Sequence, residues 1–129
     1  MIVDVLKYRF LIIYYRKFNN VKLFIVTRWG NPFEEDGPDG KDTNFLVRAL
    51  TLDEASQLTD QRLKTMTNKV SGNRPVKCYA QFAAEIGVDK CSEKRGIVHG
   101  PWIESIIVHD LEHYPLWHRD DEDGEWNKS

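Results

Sequence analysis

The sequence predicts a single α+β domain in which a mainly antiparallel sheet of four to five strands carries two helices on one face. The chain has 129 residues, which suits one ordinary domain and is too short for two. It is 41% hydrophobic and 12% aromatic, as expected for a globular protein with a core. Strand-like apolar runs and helix-like segments occur together along the chain, separated by turn-forming residues. The domain is predicted over 1–129, and the pattern leaves open whether residues 1–20 belong to its core.

The first two predicted strands cover residues 9–16 and 21–29, which are rich in β-branched and aromatic residues. Asn19 and Asn20 lie between them, and asparagine tolerates the left-handed backbone of a tight hairpin. These two runs therefore predict a β-hairpin. A helix over residues 2–17 remains an alternative for the first run.

The clearest local signal is a helix predicted over residues 52–67. It is preceded by residues 30–44, where three glycines and two prolines predict an acidic surface loop, and by a short strand over 45–50. Thr51 and Glu54 have the spacing of a capping box. A strand that leads directly into a capped helix predicts a helix packed on one face of the sheet.

The second half of the sequence predicts another helix, one strand and a closing hairpin. Apolar residues over 76–86 have helical spacing, and Gly87 follows as a C-terminal stop. Residues 101–113 suit either a strand or a helix, and their β-branched content favours the strand. Residues 116–119 and 125–126 form the predicted hairpin, with Asp123 and Gly124 in its turn.

Charge is nearly balanced overall, with 18 basic and 20 acidic side chains, but it is unevenly distributed. The balance argues against general electrostatic binding of nucleic acid. Residues 1–33 contain six basic side chains and one acidic one, whereas residues 96–129 contain two basic and eight acidic ones. The two ends can pair with each other if their strands are neighbours. Otherwise the acidic end is available to a basic partner.

The candidate site follows from this acidic end, where two tryptophans flank a run of carboxylates. Aromatic residues beside charge are typical of protein interfaces. The hypothesis is a non-catalytic protein, without a cofactor, that binds a basic protein and inhibits or neutralises it. An equally acceptable interpretation makes the two tryptophans a cross-strand pair that closes the hairpin. The candidate binding residues are Trp117, Asp120, Asp121, Asp123, Glu125 and Trp126.

An alternative function is zinc chemistry at residues 109–113, which match the H-x-x-E-H pattern. In a zinc hydrolase or metal-binding module, His109 and His113 would be ligands and Glu112 a base or ligand. The pattern needs a helix and a third ligand. Pro115 lies two residues after His113, which disfavours a helix here. Zinc is therefore the alternative interpretation only.

A second alternative is binding of single-stranded nucleic acid by the basic and aromatic N-terminal hairpin, which the acidic half of the chain disfavours. The residues concerned are Lys7, Tyr8, Arg9, Tyr14, Tyr15, Arg16, Lys17 and Lys22. The longest apolar run near the N-terminus, residues 10–15, is far below the roughly 18 residues of a membrane helix. Cys78 and Cys91 are interpreted as free thiols. A cytoplasmic protein without membrane association is predicted.

Overall fold

The fold is an antiparallel sheet of six strands with one α-helix, within the part of the chain that the computed structural model describes. That part comprises residues 20–34, 36–67, 72–74, 76–90, 93–105 and 108–129. The elements in chain order are β1 (Val21–Arg28), β2 (Thr43–Ala49), α1 (Leu52–Leu63), β3 (Phe82–Asp89), β4 (Gly96–Ile103), β5 (Leu116–His118) and β6 (Asn127–Lys128). Two short 3-10 helices cover Pro38–Gly40 and Val108–Leu111.

The strands lie in the order β4-β2-β1-β3-β5-β6, and every neighbouring pair is antiparallel. The α+β class is confirmed, whereas the predicted four to five strands and two helices are corrected to six strands and one helix in the described residues. The predicted strand over 21–29 corresponds to β1, and that over 45–50 to β2. The partner predicted over 9–16 lies outside the described residues.

Helix α1 begins where the capping box predicts. The Thr51 side-chain oxygen accepts a hydrogen bond from the Glu54 amide at 3.2 Å. In a capping box the Glu54 carboxylate accepts in return from the amide of Thr51. Here it accepts instead from the amide of Leu50, at 3.3 Å. The helix ends at Leu63, a few residues before the predicted end at 67.

The core lies between α1 and the face of the sheet formed mainly by β1, β2 and β3. Phe24 and Val26 of β1 pair with Val47 and Phe45 of β2, so these four side chains point to the same face. Burying such a layer of aromatic and β-branched residues is the main driving force for the fold. The buried core residues are Phe24, Val26, Phe45, Val47, Ala49, Ala55, Leu63, Ala80 and Ala83.

The second helix predicted over 76–86 is wrong, because this segment contains an irregular stretch followed by strand β3. Val76, the first residue of the supposed apolar face, is 88% exposed. Ala83 and Ala84 are buried in the sheet opposite Val26 and Ile25 of β1. Long-range pairing with β1 therefore overrides the local helical spacing.

The segment over 101–113 is only partly a strand. Strand β4 includes its first three residues but starts earlier, at Gly96, and pairs with β2 at an edge of the described sheet. Pro101 is compatible with that position because an edge strand tolerates a residue without an amide proton. Residues 106–107, which favoured the strand interpretation, lie outside the described residues, and a 3-10 helix covers Val108–Leu111.

The loop predicted to be a solvated acidic surface folds around a buried arginine instead. Arg28 is 0% exposed and Asp36 is 2% exposed, and their Nη1 and Oδ1 atoms are 3.3 Å apart. The other guanidinium nitrogen, Nη2, donates to the Lys41 carbonyl and the Thr43 hydroxyl. Gly37, with a φ of 92°, lies directly against this guanidinium, where a Cβ atom would overlap it. The acidic character of the loop therefore serves in part to neutralise Arg28.

The closing hairpin is confirmed in part, because its first strand lies where predicted but its second strand is Asn127–Lys128 and not 125–126. Strand β5 pairs with β6, so that Trp117 is opposite Lys128 and His118 is opposite Asn127. Strand β5 also pairs with β3, with Trp117 opposite Ala83. The hairpin thereby extends the sheet beyond β3 and brings its connecting loop, residues 119–126, close to α1.

Candidate functional site

A groove of about 380 Å³ lies between α1 and residues 119–126, and it is the centre of the candidate site. One wall is the outer side of α1 and the other is the loop that joins β5 to β6. The groove is lined by Asp53, Gln57, Asp60, Gln61, Lys64, Arg119, Glu122, Asp123, Gly124 and Trp126. Polar and charged side chains dominate this lining, so the groove suits a hydrophilic ligand better than an apolar one.

Arg119 connects the two walls of the groove. It is only 5% exposed, and its Nη2 donates to Asp60 Oδ2 at 2.5 Å. Its Nε donates to the Ala80 carbonyl at 2.8 Å, and its Nη1 donates to the Glu122 carbonyl at 2.9 Å. The guanidinium also lies 4.7 Å from the ring centre of Trp126. A planar fork with several donors is required for such a set of bonds, which lysine could not make.

Asp60 is the buried counter-ion of Arg119 on α1. Its Oδ1 accepts from the Ala80 amide at 2.8 Å while its Oδ2 accepts from Arg119. Burial raises the pKa of the Asp60 carboxyl above its ordinary value, and the hydrogen bonds from Arg119 and Ala80 partly oppose this shift. Removing two charges from water is costly, so the pair depends on these additional bonds.

The loop over residues 119–126 is fixed through its backbone. Tyr79 donates from its hydroxyl to the Asp120 carbonyl at 2.9 Å. Arg119 donates to the Glu122 carbonyl, and the Gly124 amide donates to the Asp121 carbonyl at 3.0 Å. Three consecutive carbonyls are thus bound by the protein itself, while the acidic side chains of the loop are exposed.

The predicted acidic residues lie on that loop and are exposed. These are Asp120, Asp121, Asp123 and Glu125. Within the described ranges none of the four carboxylates forms an ion pair with a lysine or arginine. Glu122, the fifth acidic residue of the loop, is in contact with Lys64 of α1 through an ion pair. The loop therefore presents four carboxylates to solvent and uses the fifth to attach to the helix.

The two predicted tryptophan anchors occupy different environments. Trp126 is half-buried against the core and stacks on Arg119. Trp117 is half-buried in β5 opposite Lys128, so the alternative of a cross-strand tryptophan pair is not observed. Trp126 lines the groove, whereas Trp117 does not. Trp126 therefore contacts both the core and Arg119, the side chain that bonds to the backbone of the loop.

Within residues 1–33, the two basic side chains that the structure describes are both engaged away from the acidic loop. Lys22 pairs with Glu85 at 3.0 Å, and Arg28 pairs with Asp36. Strand β3 lies between β1 and β5, so β1 does not neighbour the acidic hairpin. Lys7, Arg9, Arg16 and Lys17 lie outside the described residues, as does the rest of the N-terminal segment to which nucleic-acid binding was assigned.

The zinc interpretation gains no support from the described residues, which contain no group of three or more potential metal ligands. Glu112 and His113 are exposed, and the His109 side chain lies outside the described part of the chain. His99 stacks on Trp102 in β4. In β5, the Nδ1 atom of His118 lies 2.8 Å from the hydroxyl oxygen of Ser129. Three strands separate β4 from β5, so His99 and His118 do not converge.

Cys78 is half-buried, and burial raises the pKa of its thiol. A raised pKa lowers the fraction of the reactive thiolate, so a nucleophilic role for Cys78 is not favoured. Cys91 lies outside the described residues.

Sequence reasoning missed Asp60, Arg119 and Tyr79 as parts of the site. Asp60 did carry a signal, because it precedes Leu63 by three positions and so lies near the buried face of α1. A carboxylate near a core-facing side indicates a buried partner. Nothing local to Arg119 identified it as that partner, because it lies 59 positions from Asp60. Nothing local to Tyr79 indicated its bond to Asp120, which lies 41 positions away.

Comparison of this chain with protein-family models, with curated proteins and with solved structures finds no match. In the described ranges, no helix has both the length and the apolar character needed to cross a bilayer.

Proposed function

We propose that this protein is a non-catalytic binding protein whose acidic loop, residues 119–126, associates with a basic surface of another protein. The observation that carries the proposal is the set of exposed carboxylates of Asp120, Asp121, Asp123 and Glu125, which have no lysine or arginine partner among the described residues. A surface of one charge attracts a partner of the other charge and speeds its association.

The groove beside the loop supports this role because it extends the acidic surface onto α1. Asp53 lies on the helix wall and Asp123 on the loop wall. The two cations of the lining are already used, Lys64 by Glu122 and Arg119 by Asp60. The exposed side chains of Gln57 and Gln61 add hydrogen-bonding groups between the two walls. A lysine or arginine side chain of the partner fits this environment, and the partner would be inhibited or neutralised by the contact.

The test is a charge reversal of the loop, with a ten-residue oligoarginine peptide as the probe. The variant replaces Asp120, Asp121 and Asp123 with lysine. Each exposed ion pair contributes about 0.2–1 kcal/mol, so losing three pairs and adding repulsion is expected to weaken binding about tenfold or more. The slope of log Kd against log salt concentration should also become flatter.

The matched control reverses three exposed acidic residues away from the loop, Glu34, Glu104 and Glu112, by Glu→Lys substitution. It changes the net charge by the same amount and should bind oligoarginine more tightly than the loop variant. The proposal would be overturned if the loop variant bound oligoarginine with wild-type affinity, or if the control variant lost as much affinity as the loop variant.

A further inference from the structure

The structure assigns Tyr79 and Arg119 a role as positioning residues that hold the acidic loop in the conformation to which a basic partner binds. This inference rests on the proposed function, and it concerns how the backbone of the loop is fixed. The sequence-based hypothesis included neither Tyr79 nor Arg119, and neither residue contributes to the negative charge of the loop.

The geometry that carries the inference is a pair of side chain to backbone bonds on alternate residues. The Tyr79 hydroxyl donates to the carbonyl of Asp120, and Arg119 Nη1 donates to the carbonyl of Glu122. Arg119 is itself fixed by Asp60 of α1 and by the Ala80 carbonyl. The loop is thereby tied to the helix and to the segment that precedes β3, two parts of the fold that are distant from it in sequence.

Tyr79 and Arg119 also contact each other. The Arg119 guanidinium carbon lies 5.8 Å from the centre of the Tyr79 ring and 4.7 Å from that of Trp126. The guanidinium therefore has two aromatic neighbours, and cation–π attraction to their rings adds to its hydrogen bonds. Loss of the Tyr79 hydroxyl is expected to loosen the loop without changing its charge.

A fixed loop binds more tightly than a mobile one because less conformational entropy is lost on association. The charge of the carboxylates and the fixed conformation of the loop therefore make separable contributions to the affinity. Reversing the carboxylates changes both the affinity and its salt dependence, whereas removing a bond to the backbone should change the affinity alone.

The test is Tyr79→Phe, which removes the hydroxyl and keeps the ring. A hydrogen bond of ordinary net strength is worth about two- to tenfold in an equilibrium constant. Tyr79→Phe is therefore expected to weaken oligoarginine binding by about two- to tenfold, with an unchanged slope of log Kd against log salt. Amide hydrogen exchange at Gly124, whose amide bonds within the loop, should become faster.

The control is Tyr114→Phe, because Tyr114 is an exposed tyrosine away from the groove. It should retain wild-type affinity. A purely structural role of Tyr79 would lower the free energy of unfolding and leave the affinity of the folded protein unchanged, so both are measured for each variant.

The outcomes separate the two proposals. Wild-type affinity in Tyr79→Phe overturns the positioning role and leaves the proposed function standing. A wild-type chain that does not bind oligoarginine overturns both. Weaker binding with a flatter salt slope would mean that Tyr79 acts through charge, which also contradicts the positioning role.

Discussion

Asp60 and Arg119 lie 59 positions apart in the chain and form an ion pair in which Oδ2 and Nη2 are 2.5 Å apart. The pair joins α1 to the loop that follows β5, and both residues also bond to the backbone of Ala80. Three segments that are remote in sequence therefore meet at one pair of charges. The helix, the entry to β3 and the acidic loop are consequently coupled in stability.

Breaking this pair is expected to be costly. Arg119→Met removes the charge and the donors while keeping much of the apolar stem, and it leaves the buried Asp60 carboxylate without its counter-ion. Loss of one partner of a buried pair costs about 3–5 kcal/mol, and urea denaturation should show that decrease in the free energy of unfolding. Arg62→Met, at an exposed position of α1, should change the free energy of unfolding by less than about 0.5 kcal/mol. Equal effects of the two substitutions would contradict the assigned role of Arg119.

Stability should also depend on pH through Asp60. Because burial raises its pKa in the folded protein, the folded state retains the Asp60 proton at pH values where the unfolded chain has lost it. The contribution of this group is therefore fully present below its unfolded pKa of about 3.9 and is lost as pH rises through the folded pKa. Asp60→Asn should remove that slope from the curve of unfolding free energy against pH. A wild-type curve and a variant curve that run parallel across this range would show that the Asp60 pKa is not raised.

Gly37 is expected to be essential for the loop around Arg28. Its φ of 92° is unfavourable for other residues, and any Cβ would overlap the guanidinium. Gly37→Ala should therefore destabilise the protein by about 3 kcal/mol, measured by thermal or urea unfolding. Gly87→Ala is the matched control, since a Cβ there meets nothing within 4 Å, and it should be neutral or slightly stabilising. A neutral Gly37→Ala would mean that the loop can move away from Arg28 at little cost.

The parts of the fold that the sequence predicted correctly depend on neighbouring residues. Thr51 and Glu54 are three positions apart, and the helix they cap needs no distant partner to be recognised. The β-branched run of β1 and the turn before β6 are local in the same sense. Each of these signals lies within a short stretch of consecutive residues.

The parts that the sequence did not predict depend on long-range contacts. Residues 82–86 have helical spacing, yet they become a strand because β1 and β5 lie on both sides of them. Asp36 looked like a solvated acid, and its burial follows from Arg28, whose partners are distributed over 15 positions of the chain. The acidic loop itself was predicted, but Tyr79 and Asp60, which hold it in place, were not.

The strand order also gives a practical way to observe the acidic loop. Strands β4 and β6 lie at opposite edges of the described sheet, five strand spacings apart, which is roughly 24 Å at roughly 4.8 Å per spacing. Val98 of β4 is exposed, so a fluorophore attached there would lie within energy-transfer range of a labelled ligand at the loop, while remaining too distant to touch it.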